Sequence, residues 1–294
     1  MTWEEATTDE IAQYYQTEFD DHFEKIPAFI RESQPKEIAV AFQEAYPVKG
    51  DTVPPKQFVR RDAFGDSSSD FTKWTGSGGI TEFIKSPPAN DPISGKHKLG
   101  SPEVTDKPTV PEAVYFAADF HDRNWVLIVD IDAKDVALEY AKLVVGDDEE
   151  AANDALKRRA GVFDAPPEGY PYRFEDIDHA LEYGFDVKDY FESSLDTDAT
   201  QVVYSGQGCH VYMYDPASEY RYSEIPRRHI ATALEEKEGI PIDTPVTTDE
   251  SRVIRLPYSL HAGVSRVVTP IESPDFDYRS EAVPSVLNSA STTQ

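Results

Sequence analysis

One cysteine in 294 residues excludes an internal disulfide and leaves too few thiolates for a zinc site built on roughly two to four of them. Basic residues are also scarce, with 28 Lys and Arg against 55 Asp and Glu, a formal net charge of −27. No apolar run approaches the ~18 residues of a membrane-spanning helix, and the mean hydropathy is −0.54. The opening Met-Thr-Trp-Glu-Glu has no basic stretch followed by an apolar one, so no secretory signal is expected and a cytoplasmic protein is. Apolar residues at 39%, with 12% aromatics, suffice for a globular core.

So acidic a chain would ordinarily repel nucleic acid, because affinity for the phosphate backbone comes from Lys and Arg. The acid is spread along the chain instead of blocked, which favours a salt-adapted surface of the kind found in halophilic archaea over an acidic tail. At 1 M salt the Debye length is about 3 Å, so net repulsion is screened. The spread is uneven. Residues 141–200 hold 16 acidic and 6 basic residues, whereas residues 56–110 hold 7 and 8. The near-neutral stretch reads either as a Lys-rich loop or as a surface facing phosphates.

Along the chain, Ile11, Tyr14, Tyr15, Phe19 and Phe23 recur at helical spacing over residues 9–32. Residues 54–110, rich in Pro, Gly and Ser, predict short strands joined by long loops. Residues 112–132 predict two strands around a polar turn, the second being Trp-Val-Leu-Ile-Val-Asp-Ile-Asp. Residues 133–160 predict a helix broken at Gly146, and 174–195 a further helix. A hairpin follows over 201–215, then a helix from Pro226 to Glu238, with strands at 252–257 and 265–271. Residues 281–294 read as a disordered tail. The alternation predicts a mixed α/β (α+β) fold.

Three constellations carry chemistry. In a chain this acidic, roughly ten acidic pairs at i, i+2 arise by chance. Asp130-Ile131-Asp132 differs because it ends an apolar strand, which aims both carboxylates at one face. Two desolvated like charges are costly unless a cation neutralises them, and Mg²⁺ suits carboxylate oxygen; the alternative is a strand that simply ends in solvent. Ser205-Gly206-Gln207-Gly208-Cys209-His210 places Ser and His around a tight glycine turn able to hold phosphate oxygens, or else is a plain hairpin with a satisfied histidine. In the last run, Ile242-Asp243-Thr244-Pro245-Val246-Thr247-Thr248 is followed by Arg252, Arg255-Leu-Pro-Tyr-Ser-Leu-His261. Arg252 and Arg255 are three apart on an extended strand and point to opposite faces, and Arg255 is the stronger candidate for a phosphate contact.

The order of these motifs resembles the archaeo-eukaryotic primase superfamily, specifically the small, catalytic subunit of DNA primase. The resemblance covers roughly residues 54–270 and includes Phe58-Val59-Arg60-Arg61-Asp62-Ala63-Phe64-Gly65, similar to that family's Arg-Arg-Glu-Phe-Gly segment. It implies a single primase-like catalytic domain over 1–280, with a helical part at 1–53 and an RRM-like sheet bearing the acidic motif. It further implies that Asp130, Asp132 and Asp243 bind two Mg²⁺ or Mn²⁺ ions and that Ser205, Gln207, His210, Arg255 and His261 hold the nucleoside triphosphate. Arg60, Arg61 and Arg252 are the implied nucleic-acid or nucleotide contacts. Single-stranded DNA and nucleoside triphosphates are the implied partners, with a primase large subunit or a replicative helicase beside them.

The departures from the family pattern are specific. Residues 133–200 contain no cysteine and one histidine, His179, so the family's zinc knuckle is not expected. Gln207 stands where many relatives carry Arg, and Asp62 where Glu is usual. The pattern points to a divergent member from a haloarchaeon or one of its viruses or plasmids. The function expected is template-directed primer synthesis. A primer-dependent repair polymerase of the same superfamily and a non-catalytic nucleotide- or DNA-binding replication protein are the alternatives.

Overall fold

The computed structural model describes residues 5–31, 37–43, 45–48, 51–60, 111–120, 126–160, 172–214 and 223–290. They form two compact units interleaved along the chain: one draws on residues 5–120, 251–268 and 282–290, the other on residues 126–250 and Thr269–Glu281. The polar turn expected near 121–125, Arg61 and most of the Pro- and Gly-rich stretch lie outside the described residues.

In the first unit Thr7 opens α1 (Thr8–Gln13) with a capping box, its hydroxyl accepting from the Glu10 amide while the Glu10 carboxylate accepts from the Thr7 amide. A single π-helical turn, Tyr14–Glu18, leads into α2 (Phe19–Phe23), and α3 (Ala28–Arg31) follows. Tyr14, Tyr15 and Phe19 are buried, as their spacing predicts. A buried tyrosine must satisfy its hydroxyl. Tyr14 donates to the Tyr258 carbonyl at 2.6 Å, and Tyr15 donates to the Glu112 carbonyl at 2.9 Å while accepting from the Leu260 amide at 3.1 Å. These bonds tie the N-terminal helices to an antiparallel sheet of order β4-β1-β5-β9, made of β1 (Ile38–Phe42), β4 (Phe58–Arg60), β5 (Pro111–Ala117) and β9 (Val253–Arg255). A separate ribbon pairs β2 (Tyr46–Val48) with β3 (Asp51–Val53). β1, Ile-Ala-Val-Ala-Phe, is buried at every position, which is what a continuous apolar run predicts for a strand covered on both faces.

In the second unit β6 (Leu127–Asp132) runs directly into α4 (Ala133–Val145), and α5 (Glu149–Ala160) follows on the far side of Gly146. α6 (Phe174–Ser194) lays Ile177, Ala180, Leu181, Gly184, Val187 and Phe191 inward. Each large apolar side chain so buried contributes about 1.5–3 kcal/mol. β7 (Thr200–Tyr204) and β8 (Gly208–Met213) form the expected hairpin, followed by α7 (Glu224–Glu236) and α8 (Thr244–Thr248). β10 (Thr269–Ile271) completes an antiparallel sheet of order β10-β7-β8-β6, and α9 (Tyr278–Glu281) closes the unit. Two antiparallel sheets with helices make the chain the mixed α/β protein that its pattern predicts.

The C-terminal segment differs from the sequence reading. Ser285–Ala290 forms a short helix, α10, where a tail was expected, because the amides of Ser285 and Val286 both donate to the Glu18 carboxylate at 2.9 Å. That capping partner lies 267 residues away and leaves no local signal. No helix among the described residues is long and apolar enough to cross a membrane.

Glu112 on β5 is 2% exposed, with the Lys56 ammonium 3.7 Å away and Glu5 on the other side of that ammonium at 3.5 Å. Burial pushes its carboxyl up to about 7; Lys56 opposes the shift and Glu5 adds to it. The folded chain thus keeps a proton that the unfolded chain releases above its ordinary value of 4.5. The associated stability is complete below that value and is lost as pH rises through about 7. Glu112→Gln should therefore melt roughly 2–5 °C above the parent at pH 8 and match it at pH 4.5 by scanning calorimetry; equal shifts at both pH values would contradict this.

Candidate metal centre

Asp130 and Asp132 share one face of β6, two residues apart on an extended strand. Both are held by the neighbouring strand: Asp130 is paired with His210, and Asp132 with Gly208, in the β6–β8 register. A Cβ at 208 would sit inside the van der Waals shell of the Ile131 carbonyl oxygen, so only glycine lets β8 start this close to the acidic strand. Asp132 also occupies the N-cap of α4 without a side-chain capping bond, so its carboxylate does not serve the helix beneath it. That carboxylate instead meets the Lys134 ammonium at 2.6 Å.

Asp243 arrives from α8. It is that helix's N-cap, and its Oδ1 accepts from the Val246 amide at 2.9 Å, with Pro245 in the first turn. The Asp243 amide donates to the Asp130 carbonyl at 2.8 Å, which stitches the helix start to β6. One oxygen from each of Asp130, Asp132 and Asp243 lies within 4.8 Å of the others. At that separation each charged pair repels by about 3.5 kcal/mol at an effective dielectric constant of about 20. Asp130 is only 8% exposed. A set of all-oxygen, anionic donors at this spacing suits a hard divalent cation, and the residues present therefore fit the metal.

The same field reaches neighbouring groups. Burial, with Asp132, Asp243 and Glu139 adding and Lys134 opposing, pushes the Asp135 carboxyl up to about 6. Burial, reinforced by Asp130 and Asp132, drives the Cys209 thiol well above its ordinary value, leaving it protonated. Burial would lower Lys134, but the charge and hydrogen bond of Asp132, together with the charges of Asp135 and Asp243, outweigh it and keep the ammonium protonated.

The β7–β8 turn stands beside this cluster. Gly206 has φ +106°, a backbone that suits glycine, and its carbonyl accepts from the Tyr204 hydroxyl at 2.8 Å. Ser205 is 1% exposed, and its Oγ has no hydrogen-bond partner; the buried Nε2 of Gln207 has none either. Leaving a buried polar group unsatisfied costs about 1–3 kcal/mol. His210 is buried, with its Nε2 3.4 Å from the Asp130 carboxylate.

Six of the sequence-predicted residues, Asp130, Asp132, Asp243, Ser205, Gln207 and His210, thus belong to one unit. Arg60, Arg252, Arg255 and His261 belong to the other. There the strand registers set Arg60, Ala39, Tyr115 and Arg255 in one row across β4, β1, β5 and β9. Arg255 lies over the Tyr115 ring at 5.7 Å, Arg60 over Phe58 at 5.7 Å, and Phe58 against Tyr115 at 5.6 Å. His261 is buried and accepts the Gly263 amide on Nδ1 at 2.9 Å, while Arg252 is exposed just ahead of β9. Sequence reasoning missed three contacts around the cluster: Lys134 with Asp132, Thr247, whose Oγ1 accepts from the Asp130 amide at 3.4 Å, and Arg227, which donates to the Thr247 and Val126 carbonyls. Lys134 was legible two residues past Asp132, and Thr247 sat inside a motif already quoted; Arg227, buried on α7, gave no signal.

No family model matches the sequence. A DNA primase small subunit-like protein of Archaeoglobus fulgidus is 40% identical over 93 residues, 31% of this chain and 32% of that one. The DNA primase small subunit PriS of Halorubrum lacusprofundi is 48% identical over 58 residues, 19% of this chain and 15% of that one. The matched stretches thus span about a third or less of these relatives' own length. Among solved structures, the polymerase domain of Mycobacterium tuberculosis ligase D in complex with DNA aligns with TM-score 0.42 and 11% identity over 98% of this chain and 89% of that one. Within the matched stretches, the chain resembles archaeal DNA primase small subunits, haloarchaeal ones among them.

Asp243→Asn keeps an acceptor for the Val246 amide but removes one charge from the cluster. Its melting temperature without divalent ions should equal or exceed the parent's, because a like-charge repulsion is relieved. The rise in melting temperature that millimolar Mn²⁺ gives the parent should largely disappear in the variant. Differential scanning fluorimetry across an Mn²⁺ series decides the matter, and an undiminished rise would remove Asp243 from the ligand set.

Proposed function

We propose that this chain is a template-directed nucleotidyltransferase of the primase type, joining nucleotides through attack of a 3′-hydroxyl on an α-phosphate. The observation that carries the reading is the cluster of three carboxylates within 4.8 Å, two on β6 and one at the start of α8, with the β7–β8 turn leading into the strand that pairs with β6. The short matches to archaeal primase small subunits support it. Asp130, Asp132 and Asp243 would hold two Mg²⁺ or Mn²⁺ ions. When bound, such ions supply Lewis acidity for the attacking hydroxyl and positive charge for the departing pyrophosphate.

The chain's own residues bind and orient. Ser205 Oγ and Gln207 Nε2 donate to triphosphate oxygens, which removes their unsatisfied burial. His210, held opposite Asp130 by the strand register, adds a ring nitrogen on the same side. Arg255 and His261 take further phosphate oxygens, and Arg60, Arg61 and Arg252 contact nucleic acid or nucleotide. Arg255 contributes a guanidinium braced on Tyr115, a geometry that lysine does not reproduce. No covalent nucleophile is required, since phosphoryl transfer rests on positioning and charge. Single-stranded DNA is the template in this reading, with a primase large subunit or a replicative helicase as protein partner. The −27 charge fits work at high salt, where nucleic acid is not excluded.

The deciding assay combines purified protein, high salt, a single-stranded template, Mg²⁺ or Mn²⁺ and labelled nucleotides, with and without a primer. Products without primer are expected; products only with primer would assign a primer-dependent polymerase instead. Asp130→Ala should reduce incorporation by at least about 10³-fold with an unchanged circular dichroism spectrum, as expected for loss of a group acting in the transition state. Incorporation by Asp130→Ala at the parent rate would refute the proposal.

A further inference from the structure

We propose that Arg227 is a positioning residue for the metal centre, an inference that rests on reading the three carboxylates as metal ligands. Arg227 lies on α7, distant in sequence from every carboxylate of the cluster, and is 1% exposed. Burying a guanidinium is costly unless its donors find acceptors. Nη2 donates to the Val126 carbonyl at 3.0 Å and Nη1 to the Thr247 carbonyl at 3.4 Å. Val126 lies immediately before β6, four residues ahead of Asp130, and Thr247 lies on α8, whose N-cap is Asp243. One rigid fork therefore grips the two elements that carry the cluster.

The grip has a definite object. α8 has five residues, too few to be stable through its own hydrogen bonds. Its first residue is preceded by a carboxylate held against two others of like charge. Repulsion within the cluster pushes α8 away from β6 whenever no cation offsets it. Two bonds oppose that push near the carboxylates: Asp243 amide to Asp130 carbonyl at 2.8 Å, and Asp130 amide to Thr247 Oγ1 at 3.4 Å. Within α8 the Thr247 amide donates to the Asp243 carbonyl at 2.9 Å, so holding the Thr247 end also holds Asp243. Arg227 supplies the clamp behind those bonds. A lysine keeps the charge but has no planar fork with which to span two carbonyls.

The test compares the parent with Arg227→Met and Arg227→Lys, at temperatures where circular dichroism shows each folded. Mn²⁺ affinity, read from free-ion electron paramagnetic resonance, should fall about tenfold in both. The Mn²⁺ concentration needed for half-maximal incorporation should rise in parallel, while saturating Mn²⁺ restores most of the rate. A role confined to stability would lower the melting temperature without moving either metal constant. Amide exchange of Asp243, Val246 and Thr247 in metal-free protein should accelerate at least about tenfold, with β7 and α6 unaffected. Metal affinity within twofold of the parent and unchanged exchange at α8 would overturn the proposal, as would full rescue by lysine. If the parent itself binds no Mn²⁺, the reading of the carboxylates as metal ligands fails; exchange at α8 then decides alone whether Arg227 holds Asp243 in place. Should Arg227→Met not fold, Arg227→Lys carries the same readouts.

Discussion

The bond between the Asp243 amide and the Asp130 carbonyl is the constraint around which this site is arranged. It brings a helix start against the end of a strand and so forces three carboxylates within 4.8 Å. Everything nearby follows from that crowding. Glycine at 208 lets the partner strand approach, the N-cap role of Asp243 fixes one of its oxygens, and Lys134 balances Asp132. Asp135 is pushed up to about 6 chiefly by burial, with the cluster's charge reinforcing it. The fold holds charges together that would separate if left free, and a cation-binding centre needs that property before any cation arrives.

Much of the fold was legible because its signals are local. The helix break at Gly146, the hairpin over 200–213 and the apolar strand ending Asp-Ile-Asp each follow from periodicity and turn chemistry within a short window. The carboxylates were legible for a different reason: a buried strand beneath Asp130 and Asp132 separates that pair from the chance pairs of an acidic chain. What was not legible depends on partners far away in sequence. Glu18 caps α10 across 267 residues, and Arg227 reaches Val126 across 101. Neither contact has a periodicity to reveal it. The row of Arg60, Ala39, Tyr115 and Arg255 falls in the same class, since only strand order sets it.

The chain's composition and its site make opposite demands. With 55 Asp and Glu in 294 residues, one more carboxylate cluster is unremarkable by count. The Asp130–Asp132–Asp243 cluster stands apart in the burial of Asp130 and in the backbone bonds that hold it, not in its charge. Basic side chains are correspondingly few. Arg255 and Arg60 each lie over an aromatic ring, which orients the guanidinium.

The two compact units exchange segments along the chain. β9 leaves one stretch of sequence to pair with β5, and β10 returns to pair with β7 before the chain crosses again near Ala282. A fragment ending at Glu250 would strip β7 of β10 and expose a bare strand edge, the feature that invites aggregation. The sheet that carries the acidic strand is therefore completed by a strand that arrives only after the chain has passed through the other unit.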